Sequence, residues 1–546
     1  MLKNAIGKIS LAAAMLVMAV AGLRASAEKL VLLHTNDTHS LIEPDAKGRG
    51  GVIQRKAIFD SVRRADRNVM LIDAGDAVQG TLYFKFFKGD VEYPVMNMLE
   101  YDIRILGNHE FDNGLEEMAR YWKGDKSHRL STNYDFTGTP AEGIFDPWYV
   151  KKIGGKTVGF MGINVDPESL IAKAHYEGMK FRDVLRTANE TAAFLKEKKH
   201  CDLVVAVTHI GYEKENDKTT DVELARGSRD IDIIIGGHSH TLVNPSNPGE
   251  FPYLIPNAEG RDVLVAQTGK SGLYVGRIEI DLDRYGKGKS PDGSAIDYSL
   301  IPVTDRFPAE KRDRRLEAFV DSFRQRVDSV NARKIAWNAR EMKNYHRTGA
   351  FPNWTADFGK WYGSLVADSL RAAGHDVGPL DFSIMNVGGI RSSWAEGPVT
   401  EGQVLSTFPF SNHMVLMRLK GADLVETMRM AARKGGEAIS DDLRVITDGE
   451  GDVMHVLLHG EEVDPEREYL MMTIDYLAWG NDDMVPLANG EWVWREETEM
   501  AAPMMRYINH LTSLGLPVMS DPNPRFVKRV DLNSETDEDD DEEDDD

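Results

Sequence analysis

The stretch 30–39, LVLLHTNDTH, joins a short apolar run to a polar end that is rich in metal-ligand side chains. The four residues 30–33 have the length and composition of a buried strand. The polar end contains Asp37 and His39, a carboxylate and an imidazole two residues apart. A buried strand with such an end predicts an α/β fold whose ligand site lies where the strand stops.

Four further apolar runs end in the same manner. They are 69–72 before DAGD (73–76), 103–106 before GNHE (107–110), 203–207 before TH (208–209) and 231–235 before GGHSH (236–240). Amphipathic segments alternate with these runs, which is typical of an α/β unit. In a mostly parallel sheet the carboxyl ends of the strands lie along one edge, so we expect the five polar ends to meet there.

The spacing and type of these side chains favour a metal centre. Asp37 and His39, like His238 and His240, are two residues apart and in extended backbone would project to one side. Mixed carboxylate, imidazole and amide donors suit Zn, Mn, Fe or Co better than Ca. Seven donors exceed what one tetrahedral ion needs, which implies two metals with an acid such as Asp76 as the bridge.

Each segment also has an ordinary explanation. A single Asp at a strand end can cap a helix or a turn, His209 alone can be a hydrogen-bonded histidine under a loop, and Gly236-Gly237 alone can be a turn. Without a metal centre, all five ordinary explanations would have to hold at the same edge. The occurrence of all five motifs together therefore favours the metal centre.

Composition narrows the class of protein. The chain has 546 residues, 42% hydrophobic and 28% charged, which is enough for several folded domains. Its only cysteine, Cys201, excludes an internal disulfide and multi-cysteine metal clusters. The net charge is -23, of which eleven negative charges lie in 535–546, so the rest is also acidic. The chain therefore lacks the basic footprint of a nucleic-acid-binding protein, and we expect no nucleic-acid partner.

The N-terminus predicts export. Residues 1–27 carry Lys3 and Lys8, then the apolar run 11–20, and end in the small-residue pattern Ala25-Ser26-Ala27. We expect a signal peptide over 1–27 and a periplasmic or secreted product that begins near Glu28. The alternative is an uncleaved N-terminal anchor, although the apolar run is short for a membrane helix, and no stable membrane insertion is expected.

Domain boundaries follow from shifts in composition and periodicity. We predict a first α/β domain over 28–305, a linker over 306–344, a second α/β domain over 345–531 and a disordered acidic tail over 532–546. Residues 308–334 are predicted to form one helix with an apolar face of Leu316, Phe319, Val320, Phe323, Val327 and Val330. A helix is also predicted over Trp354–Ala373, and strands over Phe382–Met385, Val415–Arg418 and Tyr469–Ile474.

The motifs DTH (37–39), GDAVQG (75–80), GNHEFD (107–112), TH (208–209) and GGHSH (236–240) resemble the ordered signature of the calcineurin-like metallophosphoesterases. More narrowly, they are similar to the 5′-nucleotidase/UDP-sugar hydrolase family. This resemblance implies a metallophosphoesterase α/β sandwich followed by an α/β substrate-binding domain. It also implies metal ligation by Asp37, His39, Asp76, Asn108, His209, His238 and His240, with Asp76 between the two ions. His240 stands where some members carry Gln or Asn.

The segment after the third apolar run suggests a catalytic pair. In similar enzymes the residues that match His109 and Asp112 form a dyad beside the phosphate. A His three residues before an Asp can donate to a phosphoryl oxygen while the carboxylate favours the protonated imidazole. Helix capping by both residues is the competing interpretation. Two metal ions would supply the activated water that attacks phosphorus.

The second domain carries NVGGIR (386–391) and GPVTEGQVLSTFPFSN (397–412), which are similar to the family's C-terminal signature. The resemblance implies substrate contacts by Asn386 and Arg391 and stacking of the nucleobase on Phe410. Tyr476 would be the opposing ring, and Asp482 a base or ribose contact. Core packing competes for both rings.

Two features depart from the family pattern. In DYLAWGNDDM (475–484), Asp475 replaces an Asn, and Asn481 and Asp483 replace glycines. A further arginine that similar enzymes supply has only the candidates Arg340 and Arg347.

Three functions follow as hypotheses. The first is an exported dimetal hydrolase of 5′-nucleotides or related phosphate esters. The second is a hydrolase with the same metal centre that cleaves a different substrate: a UDP-sugar, a 2′,3′-cyclic nucleotide or a sulfate thioester. The third is a non-catalytic surface protein that binds a nucleotide or another partner.

Overall fold

The structure is a computed structural model that describes residues 28–45, 47–168, 170–213, 219–285, 295–306, 311–448 and 450–529. The predicted signal peptide and the predicted acidic tail lie outside these residues. Across the described ranges, no helix has both the length and the apolar character that crossing a bilayer requires.

The N-terminal region alternates strands and helices. Its described strands are β1 (Lys29–Thr35), β2 (Val69–Asp73), β3 (Ile103–Ile105), β4 (His128–Leu130), β5 (Tyr134–Asp135), β6 (Trp148–Ile153), β7 (Lys156–Asn164), β8 (Lys180–Phe181), β9 (Leu203–His209), β10 (Ile233–Ile235), β11 (Leu254–Pro256), β12 (Asp262–Ala266), β13 (Tyr274–Asp281) and β14 (Ile296–Pro302). Its described helices are α1 (Val52–Ala65), α2 (Leu82–Phe87), α3 (Glu92–Leu99), α4 (Leu115–Lys123), α5 (Val184–Glu197) and α6 (Asp221–Gly227).

The strands with polar ends belong to two sheets. One sheet has the order β14-β13-β1-β2-β3-β4 and the other β11-β12-β10-β9-β7-β6. The β1-β2-β3-β4 and β7-β9-β10-β12 pairings are parallel. Apolar side chains of both sheets form a common core. The expectation of a single sheet edge was wrong. The five runs are apolar throughout, so their strands can be buried on both faces, one against the other sheet and one against helices.

A single helix, α7 (Arg314–Asn331), follows the first region. It is shorter than the predicted 308–334, although its apolar face is as predicted. Leu316, Val320 and Val327 are buried, and Phe319, Phe323 and Val330 pack against the same cluster. That cluster also contains Leu82 from α2 and Leu405 from the C-terminal region, so the helix lies at the junction of the two domains.

The C-terminal region is a second α/β unit with its own core. Its described strands are β15 (Lys334–Asn338), β16 (Phe382–Met385), β17 (Gly397–Thr400), β18 (His413–Lys420), β19 (Ala438–Ile439), β20 (Leu443–Thr447), β21 (Val453–Leu458), β22 (Glu461–Glu462), β23 (Glu468–Ile474), β24 (Glu491–Glu499) and β25 (Phe526–Lys528). Its described helices are α8 (Ala350–Ala372), α9 (Glu401–Thr407), α10 (Gly421–Arg433), α11 (Asp475–Ala478) and α12 (Ala501–Ser513).

The main C-terminal sheet has the order β19-β16-β23-β18-β24, and a four-stranded sheet, β22-β21-β20-β25, lies beside it. The predicted helix 354–373 and the three predicted strands correspond to α8, β16, β18 and β23. Both domains are thus α/β, as expected. The exact domain limits at 305, 344 and 531 stay predictions.

Candidate active site

The loops that follow β1, β2 and β10 have unusual backbone conformations. Asp37, His39, Asp76, His238 and His240 all have positive φ, between 44° and 82°. The prediction that each two-residue pair projects from extended backbone was therefore wrong. Non-glycine residues rarely adopt this conformation, and its clustering at one place is typical of a functional site held by the surrounding fold.

One set of donors comes from the loops after β1 and β10. The Nε2 atoms of His39 and His240 are 2.9 Å apart, and Asp37 Oδ1 lies 3.8 Å from the first and 3.6 Å from the second. Two imidazole nitrogens and a carboxylate oxygen thus face one point. This is the composition of a divalent-metal site.

A second set shares Asp37 with the first. Asp37, Asp76 and His209 form a fully buried group whose donor atoms lie within 4.8 Å of one another. Asp76 Oδ2 is 3.2 Å from His209 Nε2 and 4.0 Å from His39 Nε2. Asp37 is common to both sets and Asp76 reaches toward both. The bridging role of Asp76 stays a prediction.

The remaining two predicted ligands contact each other. His238 Nδ1 lies 2.9 Å from Asn108 Oδ1, and the His238 ring packs edge-on against His209, with ring centroids 5.3 Å apart. The backbone N–H of His238 donates to Asp37 Oδ2 at 2.9 Å. All seven predicted ligands therefore converge on one pocket.

Backbone contacts orient the rings. His209 Nδ1 lies 2.7 Å from the carbonyl oxygen of Ala74, and His39 Nδ1 lies 3.3 Å from that of Val78. The Nε2 atom of each ring is thereby directed toward the carboxylates. Such a contact at one ring nitrogen is how proteins select the tautomer of a ligating histidine.

Glu110 is a site residue that sequence reasoning missed. Its buried carboxylate accepts hydrogen bonds from the backbone N–H groups of Gly107, Asp76 and Ala77, at 2.6, 3.0 and 2.9 Å. It thus joins the loop that carries Asn108 to the loop that carries Asp76. Its position inside GNHEFD was the available signal, but only the fold shows that its carboxylate binds backbone amides.

His109 and Asp112 form the predicted pair. Asp112 Oδ2 lies 3.0 Å from His109 Nδ1, while His109 Nε2 faces the site, 4.0 Å from Asp76 Oδ2. His109 begins a single 3-10 turn over His109–Phe111. Burial opposes protonation of His109, but Asp112 and Asp76 outweigh it and raise its pKa. The geometry allows a protonated Nε2 to donate into the pocket.

Electrostatics favour a cation among the carboxylates. Burial raises the pKa of Asp37 to about 7, against the opposing effect of His209. Burial disfavours charge on His209 as well, yet Asp76 and Asp37 raise the pKa of His209 to about 10. Burial lowers the pKa of His39 and His240, so their rings are neutral, the state that ligates metals.

The C-terminal domain brings Arg391 and Phe410 to this pocket. The Phe410 ring stacks near His109, with centroids 5.9 Å apart and planes at 28°. The Arg391 guanidinium carbon lies 5.7 Å from the Phe410 centroid. Burial lowers the pKa of Arg391, and the charges of Asp76, Asp112 and Asp37 oppose this shift. Two residues that are distant from His109 in the sequence thus reach the catalytic domain.

Asn386 and Asp482 meet one another. Asn386 Nδ2 donates to Asp482 Oδ2 at 3.0 Å, and Lys434 Nζ donates to the Asp482 carbonyl oxygen at 2.7 Å. Asp482 has φ of 57°. Lys434 was not predicted. Its link to Asp482 shows how this loop is held although it lacks the family's glycines at 481 and 483.

Tyr476 is half-buried against the C-terminal core, and burial raises its pKa, aided by the charges of Asp482 and Asp112. Of the two candidate arginines, Arg347 donates to Glu437 Oε2 at 3.1 Å, and Glu437 accepts from the N–H of Val387 in the NVGGIR loop. For Arg340 the described contact is its carbonyl oxygen, which accepts from Asn338.

The donor set fits a pair of divalent metals. Among the described residues, His209 Nε2 is buried without a hydrogen-bond partner, although Asp76 Oδ2 is 3.2 Å away. The Nε2 atoms of His39 and His240 also face one another, 2.9 Å apart, at the other donor group. A cation would satisfy both arrangements.

Two family models match the chain. The model described as calcineurin-like phosphoesterase matches residues 30–242, and that described as 5'-nucleotidase, C-terminal domain matches residues 344–489. Together with the fold and the donor set, they define the class: a metallophosphoesterase with an appended C-terminal domain.

Among known proteins, human 5'-nucleotidase is 28% identical over 452 residues, which is 77% of this chain and 75% of that protein. A snake venom 5'-nucleotidase from Crotalus adamanteus is 26% identical over 76% of this chain and 72% of its own length. The crystal structure of a 5'-nucleotidase precursor from Thermus thermophilus covers 92% of this chain and 99% of its own, with a TM-score of 0.77 and 28% identity.

The chain therefore combines a region that matches the calcineurin-like phosphoesterases with one that matches the 5'-nucleotidase C-terminal domain. It is a hydrolase of phosphoric ester bonds. Both the family resemblance and the fold class deduced from the sequence are confirmed.

Proposed function

We propose that the chain is an exported phosphohydrolase that converts 5′-nucleotides to nucleoside and phosphate. The observation that carries this proposal is the contact between the two domains at the pocket. Phe410 of the C-terminal domain lies against His109, beside a cluster of metal-ligand side chains. A phosphate at the cluster and a nucleobase at Phe410 would belong to one substrate.

Asp37, His39 and His240 would hold one divalent ion, and Asp37 or Asp76 with His209, Asn108 and His238 would hold the other. When bound, the two ions supply positive charge for the phosphoryl oxygens and an activated water. Zn, Mn, Fe and Co all suit these donors.

His109 would stabilise the transition state. Asp112 favours the protonated imidazole and holds Nδ1, which leaves Nε2–H as a donor toward the pocket. A hydrogen bond from this donor to a phosphoryl oxygen strengthens as negative charge develops there. The bond from phosphorus to the 5′ oxygen breaks, and a new bond forms from phosphorus to the oxygen of water.

Arg391, Phe410, Asn386 and Asp482 would select the substrate. Arg391 offers planar donors to phosphate or ribose oxygens, and Phe410 offers a face for the base. The pair Asn386 and Asp482 presents an amide and a carboxylate that can address hydroxyl groups or a base edge. Tyr476 would supply the second aromatic face.

A substrate panel with metal-reconstituted protein tests the proposal. AMP, UDP-glucose, 2′,3′-cyclic AMP and an aryl phosphate would be compared by kcat/KM, with metal content measured on the same preparation. We expect about two transition-metal equivalents and the highest kcat/KM with AMP. A clear preference for UDP-glucose or the cyclic nucleotide would replace the proposed substrate. Fewer than about one equivalent without turnover would favour a non-catalytic binder.

Export is the second part of the proposal. It is supported by the signal-peptide pattern in 1–27 and by the similarity to snake venom 5'-nucleotidase. N-terminal sequencing of the protein from cell fractions tests it. We expect a start near Glu28 in the periplasmic or extracellular fraction, and an intact Met1 in the cytoplasm would contradict export.

A further inference from the structure

Helix α2 of the catalytic domain contacts the segment that carries Phe410. It starts directly after the loop of Asp76, with Thr81 as its N-cap. Leu82 and Tyr83 pack into the catalytic core, and Phe87 packs against Phe323 of α7 at 4.8 Å between ring centroids. The helix is therefore fixed on several sides.

Lys85 projects from α2 into the contact between the domains. Its Nζ donates to the carbonyl oxygen of Pro409 at 3.0 Å and to that of Phe410 at 3.5 Å, and it pairs with Glu499. The Lys85 side chain is only 6% exposed. A buried ammonium with three oxygen partners from the other domain has a strongly preferred position.

Glu499 extends the contact. Its Oε1 accepts from Ser411 Oγ at 2.7 Å, and Lys88 Nζ donates to the same Ser411 Oγ at 3.1 Å. The segment 409–411 is thus held by Lys85 of α2, by Lys88 directly after it and by the end of β24. The backbone of Arg391 is held within its own domain, since its main-chain N–H donates to the Thr407 carbonyl oxygen at 2.8 Å.

We infer that Lys85 is a positioning residue that holds Phe410 at the catalytic pocket and thereby sets the affinity for substrates that carry a nucleobase. This inference deepens the proposed function and rests on it. Lys85 acts through Phe410, because it contacts the backbone of residues 409 and 410 and not the metal ligands. Removal of its charge would free the ring, while the metal-ligand cluster keeps its contacts and the Arg391 backbone keeps its bond to Thr407.

Steady-state kinetics of Lys85→Met with AMP and with ribose 5-phosphate, which lacks only the base, test this. We expect KM for AMP to rise about five- to tenfold, as for partial loss of one stacking contact, and kcat/KM for ribose 5-phosphate to change less than about twofold. Lys85→Arg should restore most of the AMP affinity. Lys29→Met, which removes a surface ion pair with Glu279, is the matched control.

A double-mutant cycle distinguishes positioning from general destabilisation. If Lys85 acts through Phe410, KM for AMP in Lys85→Met/Phe410→Ala should equal that of Phe410→Ala alone. Additive effects, or an equal loss with both substrates, would overturn the inference.

Hydrogen exchange separates this inference from the proposed function. Amides in peptides that cover 405–412 should exchange several-fold faster in Lys85→Met than in wild type or Lys29→Met, whatever the substrate. Unchanged exchange would refute the role of Lys85. If exchange rises but wild-type protein does not hydrolyse AMP, the positioning of Phe410 stands and the nucleotide proposal fails.

Discussion

The two halves of the candidate site are built differently. In the catalytic domain, the donors lie in short loops directly after buried strands or, for His209, at the end of a strand. They are mostly buried, and in each of the two donor groups the donor atoms lie within 4.8 Å of one another. In the C-terminal domain, Phe410 and Arg391 are half-buried and lie in loops, and Asn386 and Asp482 are bonded mainly to each other and to Lys434. The first half is held by the sheets and the second by a few side-chain contacts.

This difference separates chemistry from selection of the substrate. The loops that carry the donors are buried against the core and joined by contacts such as those of Glu110, so the donors keep their distances. More exposed loop residues can move or be replaced with smaller consequence. We therefore expect substitutions in the first half to affect all substrates and substitutions in the second half to change the preference among them.

The largest effect should come from Asp37→Asn. Asp37 belongs to both donor sets and accepts the N–H of His238. Loss of its charge should weaken both ions and reduce turnover on every phosphate ester by about 10³-fold or more. Elemental analysis and kcat measure this, with Asp60→Asn, an ion-pair residue of α1, as the control. Two bound metals with normal turnover would remove Asp37 from the site.

His109→Ala should have the second-largest effect on activity. The pocket would keep its metals, because His109 is not among the grouped donors, but turnover should fall about a hundredfold through loss of a transition-state hydrogen bond. Metal content and kcat on AMP and ribose 5-phosphate check both parts. Equal losses of kcat with both substrates would support the assignment of chemistry to the catalytic domain. Unchanged turnover would leave His109 without a catalytic role.

Phe410→Ala tests the other half. Removal of one stacking face costs about 1–3 kcal/mol, so KM for AMP should rise about tenfold while kcat changes little. The rise with ribose 5-phosphate should be smaller, as measured by initial rates. An equal rise in KM with both substrates would contradict the division of roles between catalysis in one domain and substrate selection in the other.

The smallest effect is expected for Asp112→Asn. Burial lowers the pKa of His109 and Asp112 raises it, with a net upward shift. The protonated donor is present below this pKa, so activity should decline as pH rises through it. A neutral Asn removes the upward contribution, so the alkaline limb of kcat should move to lower pH. If the alkaline limb does not move, Asp112 does not control the protonation of His109.

Much of the catalytic half was predictable from the sequence. A short apolar run followed by a carboxylate or histidine occurs five times, and parallel strands bring such ends together whichever sheet they belong to. The runs do not reveal that β1, β2 and β3 belong to one sheet and β9 and β10 to another, because strands buried on both faces look alike in sequence.

Details of the loops were not predictable. Positive φ at Asp37 and His238 depends on the tertiary contacts that stabilise it, such as the bond from the His238 N–H to Asp37. Glu110 and Lys434 bind backbone atoms of loops that are distant in the sequence, and a local sequence pattern does not predict such contacts. The same holds for Lys85, since its partners are more than 300 residues away.

The sequence by itself determined the α/β class, the donor types and the order in which they follow the strands, because those depend on local periodicity and side-chain chemistry. Only the tertiary structure decided which donors lie close enough to share an ion, how the loops bend and where the second domain meets the first. These depend on distances between residues far apart in the chain, which are set when two sheets and two domains pack together.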